Sequence, residues 1–479
     1  MTNTLIRAAG QTSTSTGTAA DTARLLPPGF ELGVATASYQ IEGAVHEGGR
    51  GPSIWDTFSH TPDKVARGEN GDVACDHFHR YREDVALMAD LGVDAYRLSV
   101  AWPRIQPDGT GPVNPAGVDF YSRLVDALLE AGITPLVTLY HWDLPQALED
   151  RGGWRSRETA GRFADYAVAV QQALGDRVSR WITLNEPYCS SVLGYGTGRH
   201  APGLKDTGAA LASAHHLLLG HGMAVGAMRE HDRDASYGIT LNLEPVSPLT
   251  DRPEDHAAAA RSLTLSNLLF TEPVLAGRYP DEARSLWSAA SDFSFLRDGD
   301  LEVTSAPLDF LGVNYYFPAR VRDVPHDEPE PALRLIDDLG TASPLLADDE
   351  VTHMGWPVDP DGIRRLMLWL QETYPTIPPV YVTENGRASA DDVRDGAVDD
   401  EERIRYVEGH LRALARAVEE GVDIRGYFAW SLLDNFEWAA GYARRFGLVH
   451  VDYETQARLP KASFGWYRDL IAARGGARA

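Results

Sequence analysis

Eight short, nearly continuous apolar runs punctuate the chain between residues 32 and 430. They are Leu32–Ala37, Ala95–Val100, Thr134–Tyr140, Arg180–Leu184, Tyr237–Leu241, Phe310–Tyr315, Val380–Thr383 and Gly426–Trp430. Their length and apolar continuity predict strands covered on both faces. The intervening segments change to helical spacing. Phe78, Tyr81, Val85 and Met88 fall on one helical face, as do Val118, Tyr121, Val125 and Leu128. Ile363, Leu366, Met367 and Leu370 repeat the pattern, and Ile404, Val407, Leu411, Leu414 and Val418 carry it furthest. The last helix follows the acidic run Asp399 to Glu402, which suits the positive end of a helix dipole.

Eight strands alternating with helices predict an α/β fold, a single (β/α)8 TIM barrel. A doubly wound open sheet is the alternative. Its nucleotide-binding form is weakened because no Gly-x-Gly-x-x-Gly follows the first strand. The Gly-rich stretch His46–Asn70 and the Pro- and acid-rich stretch Val324–Glu350 read as long loops after the first and sixth strands. In a barrel such loops rise at the C-terminal face and wall a pocket. Residues 1–26, rich in Thr, Ala and Ser, read as a disordered tail without a signal peptide. Residues 27–475 are then one catalytic domain.

Composition narrows the partners. The formal charge of -25 disfavours nucleic acid and anionic substrates and suits small neutral ones. No apolar run reaches the ~20 residues of a membrane span. The two cysteines, Cys75 and Cys189, read as buried thiols and leave neither a disulfide framework nor a cysteine metal cluster. The histidines at 77 and 79, and those at 215, 216 and 221, read as structural, so no metal and no other cofactor is expected. A cytoplasmic location follows from the low cysteine use and the absent signal. Assembly into a homo-oligomer stays open.

Two carboxylates then stand out. Glu186 closes the fourth run in Thr-Leu-Asn-Glu-Pro, and Glu384 closes the seventh in Thr-Glu-Asn-Gly. Each alone reads as a surface glutamate at a strand end. At the C-terminal ends of two barrel strands, both point toward the axis. Two carboxyl groups about 5–5.5 Å apart can cleave a glycosidic bond with retention, one attacking the sugar and one protonating the leaving oxygen. At that spacing a charge on one raises the other's ionisation cost by ~3 kcal/mol at an effective dielectric of 20. One therefore ionises while its neighbour keeps its proton. Spacing alone leaves open which is which.

The two motifs resemble those of family 1 of the glycoside hydrolases, the β-glucosidase family, and the likeness runs from about Pro28 to Leu470. The resemblance implies that Glu186 is the acid/base and Glu384 the nucleophile. It implies sugar contacts by Gln40 in the opening segment at 30–43, by His141 and Trp142 in Tyr-His-Trp-Asp, and by Asn185 to the 2-hydroxyl. Asn314 and Tyr316 in Gly-Val-Asn-Tyr-Tyr would lie beside the nucleophile. Tyr316 and Arg97 would keep Glu384 ionised. Trp430, Glu437, Trp438 and Phe446 resemble the sugar-specificity wall, and Trp356 the platform for the leaving group. The tryptophan count of 11 reads as more than the core needs. The expected activity is a retaining β-glycosidase on terminal β-D-glucosyl residues of oligosaccharides or aryl and alkyl glucosides. A 6-phospho-β-glycosidase, a non-catalytic carbohydrate-binding barrel and a metal-dependent hydrolase are the competing readings. Glu437 would repel a 6-phosphate, although Arg444 and Arg445 lie nearby.

Overall fold

The computed structural model describes residues 18–324 and 339–475. Eight strands form its centre: β1 (Glu31–Ala35), β2 (Ala95–Ser99), β3 (Thr134–Tyr140), β4 (Arg180–Asn185), β5 (Ser236–Asn242), β6 (Phe310–Asn314), β7 (Val380–Asn385) and β8 (Ile424–Trp430). Each pairs in parallel with its neighbours in chain order, and β8 pairs with β1, so the barrel closes. All eight predicted strands are present, with ends shifted by at most two residues. The open-sheet alternative falls with the closure.

The strand residues explain the closure. Every residue of β2 and β6 is buried, because helices cover the outer face and packed side chains fill the interior. Ala35, Leu136, Ile182, Phe310 and Phe428 share that interior. Room for the two phenylalanines comes from glycines on neighbouring strands. A Cβ on Gly33 would stand 2.5 Å from the Phe428 ring, and one on Gly238 would stand 2.5 Å from Phe310.

The surrounding helices include α1 (Ala19–Leu25), α2 (His77–Leu91), α3 (Pro115–Glu130), α4 (Arg157–Leu174), α5 (Thr207–His231), α6 (Pro253–Leu263), α7 (Leu269–Ala276), α8 (Pro360–Thr373), α9 (Glu401–Glu419) and α10 (Ala462–Gly475). The predicted faces point inward. Tyr81, Val85 and Met88 of α2 are buried, as are all four predicted positions of α8. In α9, Val407, Leu411 and Leu414 are buried, whereas Ile404 and Val418 are half-buried at the edges of the stripe. Full burial of one leucine is worth about 1.5–3 kcal/mol. A charge in the first helical turn contributes about 0.3–1 kcal/mol. The apolar stripe, more than the acidic start, therefore docks α9.

Three expectations need correction. The tail assignment to residues 1–26 fails over α1; positions 1–17 lie outside the described residues. Thr18 and Asp21 form a reciprocal cap on α1, and Ala23 and Leu26 are buried in the main core. That small apolar contact, near α10, holds the segment in the core. The loop at His46–Asn70 contains the helix Ile54–Ser59, started by the Ser53–Asp56 capping box, and a single turn at Ala66–Gly68. The Val324–Glu350 stretch falls partly outside the described residues. Its later part holds a short strand, Thr341–Ala342, paired with Ala319–Asp323.

Strand register sets the layer that carries the chemistry. Ala35 is level with both Trp430 and Arg97, Glu384 with Asn314, and Asn314 with Asn242. Residues distant in sequence thus meet around one rim.

Candidate active site

Glu186 stands one residue past β4, where its backbone N–H donates to Thr240 at 2.9 Å. Its φ of +47° turns the chain sharply from strand into the helical segment Cys189–Gly196. Asn314 Nδ2 donates to its Oε1 at 2.7 Å, and the Cys189 thiol donates to Oε2 at 3.2 Å. Glu384 lies within β7. Arg97 Nη1 donates to its Oε1, and the Tyr316 hydroxyl donates to Oε2 at 2.7 Å. Both glutamates are buried.

Their environments push them apart in role. Burial, and then the negative charge of Glu384, lifts the Glu186 carboxyl to about 8. Burial also lifts Glu384, but the Arg97 charge and the Tyr316 and Arg97 hydrogen bonds pull it back. The guanidinium contacts Glu384 and not Glu186, so Glu384 loses its proton first. Tyr316 titrates well above 10, chiefly because it is buried, so its hydroxyl remains a donor.

Asn185 links the two halves. Its Oδ1 accepts from Arg97 Nη2 at 2.6 Å and from Asn314 Nδ2 at 3.0 Å. This fixes the amide so that Nδ2 faces His141 Nε2 at 3.1 Å. His141 is held neutral by burial and then by Arg97, so Nε2 accepts and the proton sits on Nδ1. One hydrogen of the Asn185 amide stays available.

Three buried polar atoms around this layer have no protein partner: Gln40 Oε1, His141 Nδ1 and Glu437 Oε2. The Gln40 amide nitrogen is committed to Asn435 Oδ1 at 3.0 Å and the Phe436 carbonyl at 2.8 Å. Glu437 is raised to about 8 by burial, then by the charges of Glu384 and Glu186. Aromatic faces complete the wall. The His141 ring stacks 6.0 Å from both Trp430 and Trp438, and Trp142 lies 4.5 Å from Trp438. The indole N–H of Trp142 donates to the Asn185 carbonyl at 3.0 Å. Half-buried Trp356 packs against Tyr316, the hydroxyl donor to Glu384, at 5.3 Å and against Phe446 at 6.0 Å. A ring bearing hydroxyls on its edge and C–H groups on its face matches this lining.

The structure therefore gathers every predicted site residue at the carboxyl end of the barrel. It also adds some. The Cys189 thiol, read as an inert buried group, touches Glu186; its position three residues after that glutamate, on a helical turn, was the available signal. Asn435 orients Gln40. Tyr39 and Trp55 pack on Trp438, at 6.1 and 4.5 Å. Nothing local in the sequence links them. The tryptophan count overstates the site in part, because Trp55, Trp102, Trp154, Trp181 and Trp287 are fully buried core residues. The histidines outside the site that the sequence singles out have protein partners. His77 pairs with Asp84 at 2.7 Å, His215 with Asp300 at 2.9 Å, and His221 with Thr183 at 2.7 Å.

Comparison with known proteins agrees with this geometry. The profile of glycosyl hydrolase family 1 matches residues 22–476. The chain is 49% identical over 468 residues to a bifunctional beta-D-glucosidase/beta-D-fucosidase of Bifidobacterium breve, covering 94% of this chain and 98% of that one. It is 51% identical over 451 residues to thermostable beta-glucosidase B of Thermobispora bispora, covering 94% and 91%. The crystal structure of a psychrophilic beta-glucosidase from Micrococcus antarcticus has a TM-score of 0.91 at 48% identity, covering 95% of this chain and 99% of that one. From its barrel, its site and these relatives, the chain belongs to glycosyl hydrolase family 1.

Proposed function

We propose that this enzyme is a retaining β-glucosidase that removes terminal β-D-glucosyl residues from oligosaccharides or aryl and alkyl glucosides. Glu384 attacks the anomeric carbon. Glu186 gives its proton to the departing oxygen. The ester that forms removes the charge on Glu384, and with it a force holding the Glu186 pKa up. Glu186 then takes a proton from water, whose oxygen attacks the same carbon on the face opposite the ester, breaking the bond to Glu384 and freeing its carboxylate. Two inversions give net retention.

One observation carries the assignment. Arg97 and Tyr316 both donate to Glu384, while Glu186 receives only the amide of Asn314 and a weak thiol donor. Asn185 and His141 supply donors for ring hydroxyls. Gln40 Oε1 and Glu437 Oε2 supply acceptors, and Trp430 and Trp438 an apolar face. Glu437 puts a carboxyl, not a cation, where a 6-phosphate would sit. Arg445 does not counter it, because its Nη1 is held by Asp434 at 2.7 Å. Relatives named as glucosidases and as a glucosidase/fucosidase support glucosides first, with fucosides as a second class. The unpaired cysteines Cys75 and Cys189 support a cytoplasmic enzyme.

The test is a panel of nitrophenyl β-glycosides, with and without a 6-phosphate, with the released anomer followed by NMR. Turnover of the unphosphorylated glucoside with β-glucose appearing first is expected. First release of α-glucose, or preference for the phosphorylated substrate, defeats the reading.

A further inference from the structure

Behind the sugar-facing turn lies a cluster of charged groups that the two-step mechanism does not use. The Lys461 side chain is fully buried just before α10. Its Nζ donates to Asp391 Oδ2 and to Asp434 Oδ1, each at 2.6 Å. Asp391 lies in the loop that leaves β7 after Glu384. Asp434 lies in the loop that leaves β8, shortly before Glu437. One ammonium group therefore bridges the segment bearing the attacking carboxylate and the segment bearing the sugar wall.

Asp434 also closes its own loop. Its Oδ1 accepts from the Gly447 N–H at 2.9 Å, its Oδ2 accepts from Arg445 at 2.7 Å, and its backbone N–H donates to Val449 at 2.9 Å. Residues 434–447 are pinned at the neck, and Glu437, Trp438 and Phe446 all lie between those pins. The two loops touch directly as well. Ser389 N–H donates to the Arg445 carbonyl at 3.1 Å, and Arg403 Nη2 donates to the same carbonyl at 2.8 Å. Arg403 also pairs with Asp391 at 2.7 Å and with Asp400. Three carboxylates, Asp391, Asp400 and Asp434, thus face three cations, Arg403, Arg445 and Lys461. Removing Lys461 alone leaves three carboxylates facing two cations, so one net negative charge at the neck of the loop is uncompensated.

We propose that Lys461 is a positioning residue for sugar recognition: by bridging Asp391 and Asp434 it sets Glu437 and Trp438 relative to Glu384. The proposal rests on the β-glucosidase reading. Lys461 touches no substrate and acts through the loop.

The test uses the full chain carrying Lys461→Met, Lys461→Arg, or the charge-balanced pair Asp391→Asn with Lys461→Gln. Each is assayed on nitrophenyl β-glucoside and β-fucoside, the second lacking the 6-hydroxyl that Glu437 would accept from. For Lys461→Met, kcat/KM on the glucoside should fall tenfold or more, mainly through KM, and the fucoside should lose less. Lys461→Arg should recover part of the glucoside-to-fucoside ratio. Amide hydrogen exchange at Tyr442 and Gly447 should speed up relative to β3 and β4. A ratio unchanged from the parent, with unchanged protection of those amides, overturns the proposal. If Lys461→Met does not fold, the charge-balanced pair decides by the same two readouts. If the parent fails to hydrolyse glucosides, the functional reading falls; the exchange measurement still decides whether Lys461 orders the loop.

Discussion

At the residue scale, the proposed division of labour between two glutamates rests on who donates to whom. Glu384 has a guanidinium and a phenol on its oxygens; Glu186 has an amide and a thiol. Glu384→Ala should lower turnover on the order of 10⁴-fold or more, as loss of a nucleophile does. Added azide should then restore activity and yield the inverted glycosyl azide. Glu186→Ala should cost about 10²–10⁴-fold on substrates with poor leaving groups, the usual reach of general acid catalysis. It should spare good leaving groups, and azide should give a retained product. Product stereochemistry by NMR checks both; swapped phenotypes would reverse the roles. The carboxylates were legible in sequence because each sits in a short motif at the end of an apolar run. Cys189 was only half legible. Its burial was expected, but its contact with Glu186 depends on the turn that the chain makes at φ +47°.

At the scale of elements, the site depends on how closely β7 and β8 end together. A Cβ on Gly386 would stand 1.8 Å from the Trp430 carbonyl oxygen. Gly386→Ala therefore has to move either the turn after Glu384 or the strand end bearing Trp430. Overpacking of this kind costs about 1–3 kcal/mol. Calorimetry should show a Tm about 1–3 °C lower, and kcat should fall because both shifted segments border the proposed sugar site. A variant with parental Tm and kcat would show that the contact relaxes freely. The eight strands were readable from apolar runs, and the helices from their spacing. The capping of α1 by Thr18 and Asp21 was equally present in the sequence, but a seven-residue helix buries too few apolar side chains to register as a period. The small accessory strands, such as Thr341–Ala342, pair only after the barrel brings their partners near.

For the whole molecule, gathering three carboxyls in one buried layer has a stability consequence. Glu186 and Glu437 titrate near 8 in the folded protein, against an ordinary value of 4.5. A carboxyl with a raised folded pKa binds its proton more tightly folded than unfolded. Its contribution is most favourable below about 4.5 and declines as pH rises through about 8. Glu437→Gln removes that decline at one position. The variant should gain Tm over the parent at pH 8 and gain less at pH 5, as measured by calorimetry at matched ionic strength. An equal gain at both values would mean that ionisation of Glu437 carries no such cost. A carboxylate whose pKa is lowered in the folded protein, such as Asp84 with hydrogen bonds from His77 and Arg458, acts in the opposite sense and loses its contribution as pH falls.

The sequence by itself determined the barrel, the two motif glutamates and the tryptophans beside them. Apolar continuity, helical period and short motifs are local properties, and each can be read within a window of a dozen residues. Tertiary structure alone decided which oxygen receives which donor, since Arg97 of β2, Tyr316 after β6 and Glu384 of β7 meet only when the strands close into register. It alone decided that Gln40 keeps one oxygen for a ligand, because Asn435 and Phe436 take the amide hydrogens. The Lys461 bridge belongs there too. An ammonium near the C-terminus reads as a solvated surface charge until folding removes the water and supplies two carboxylates in its place.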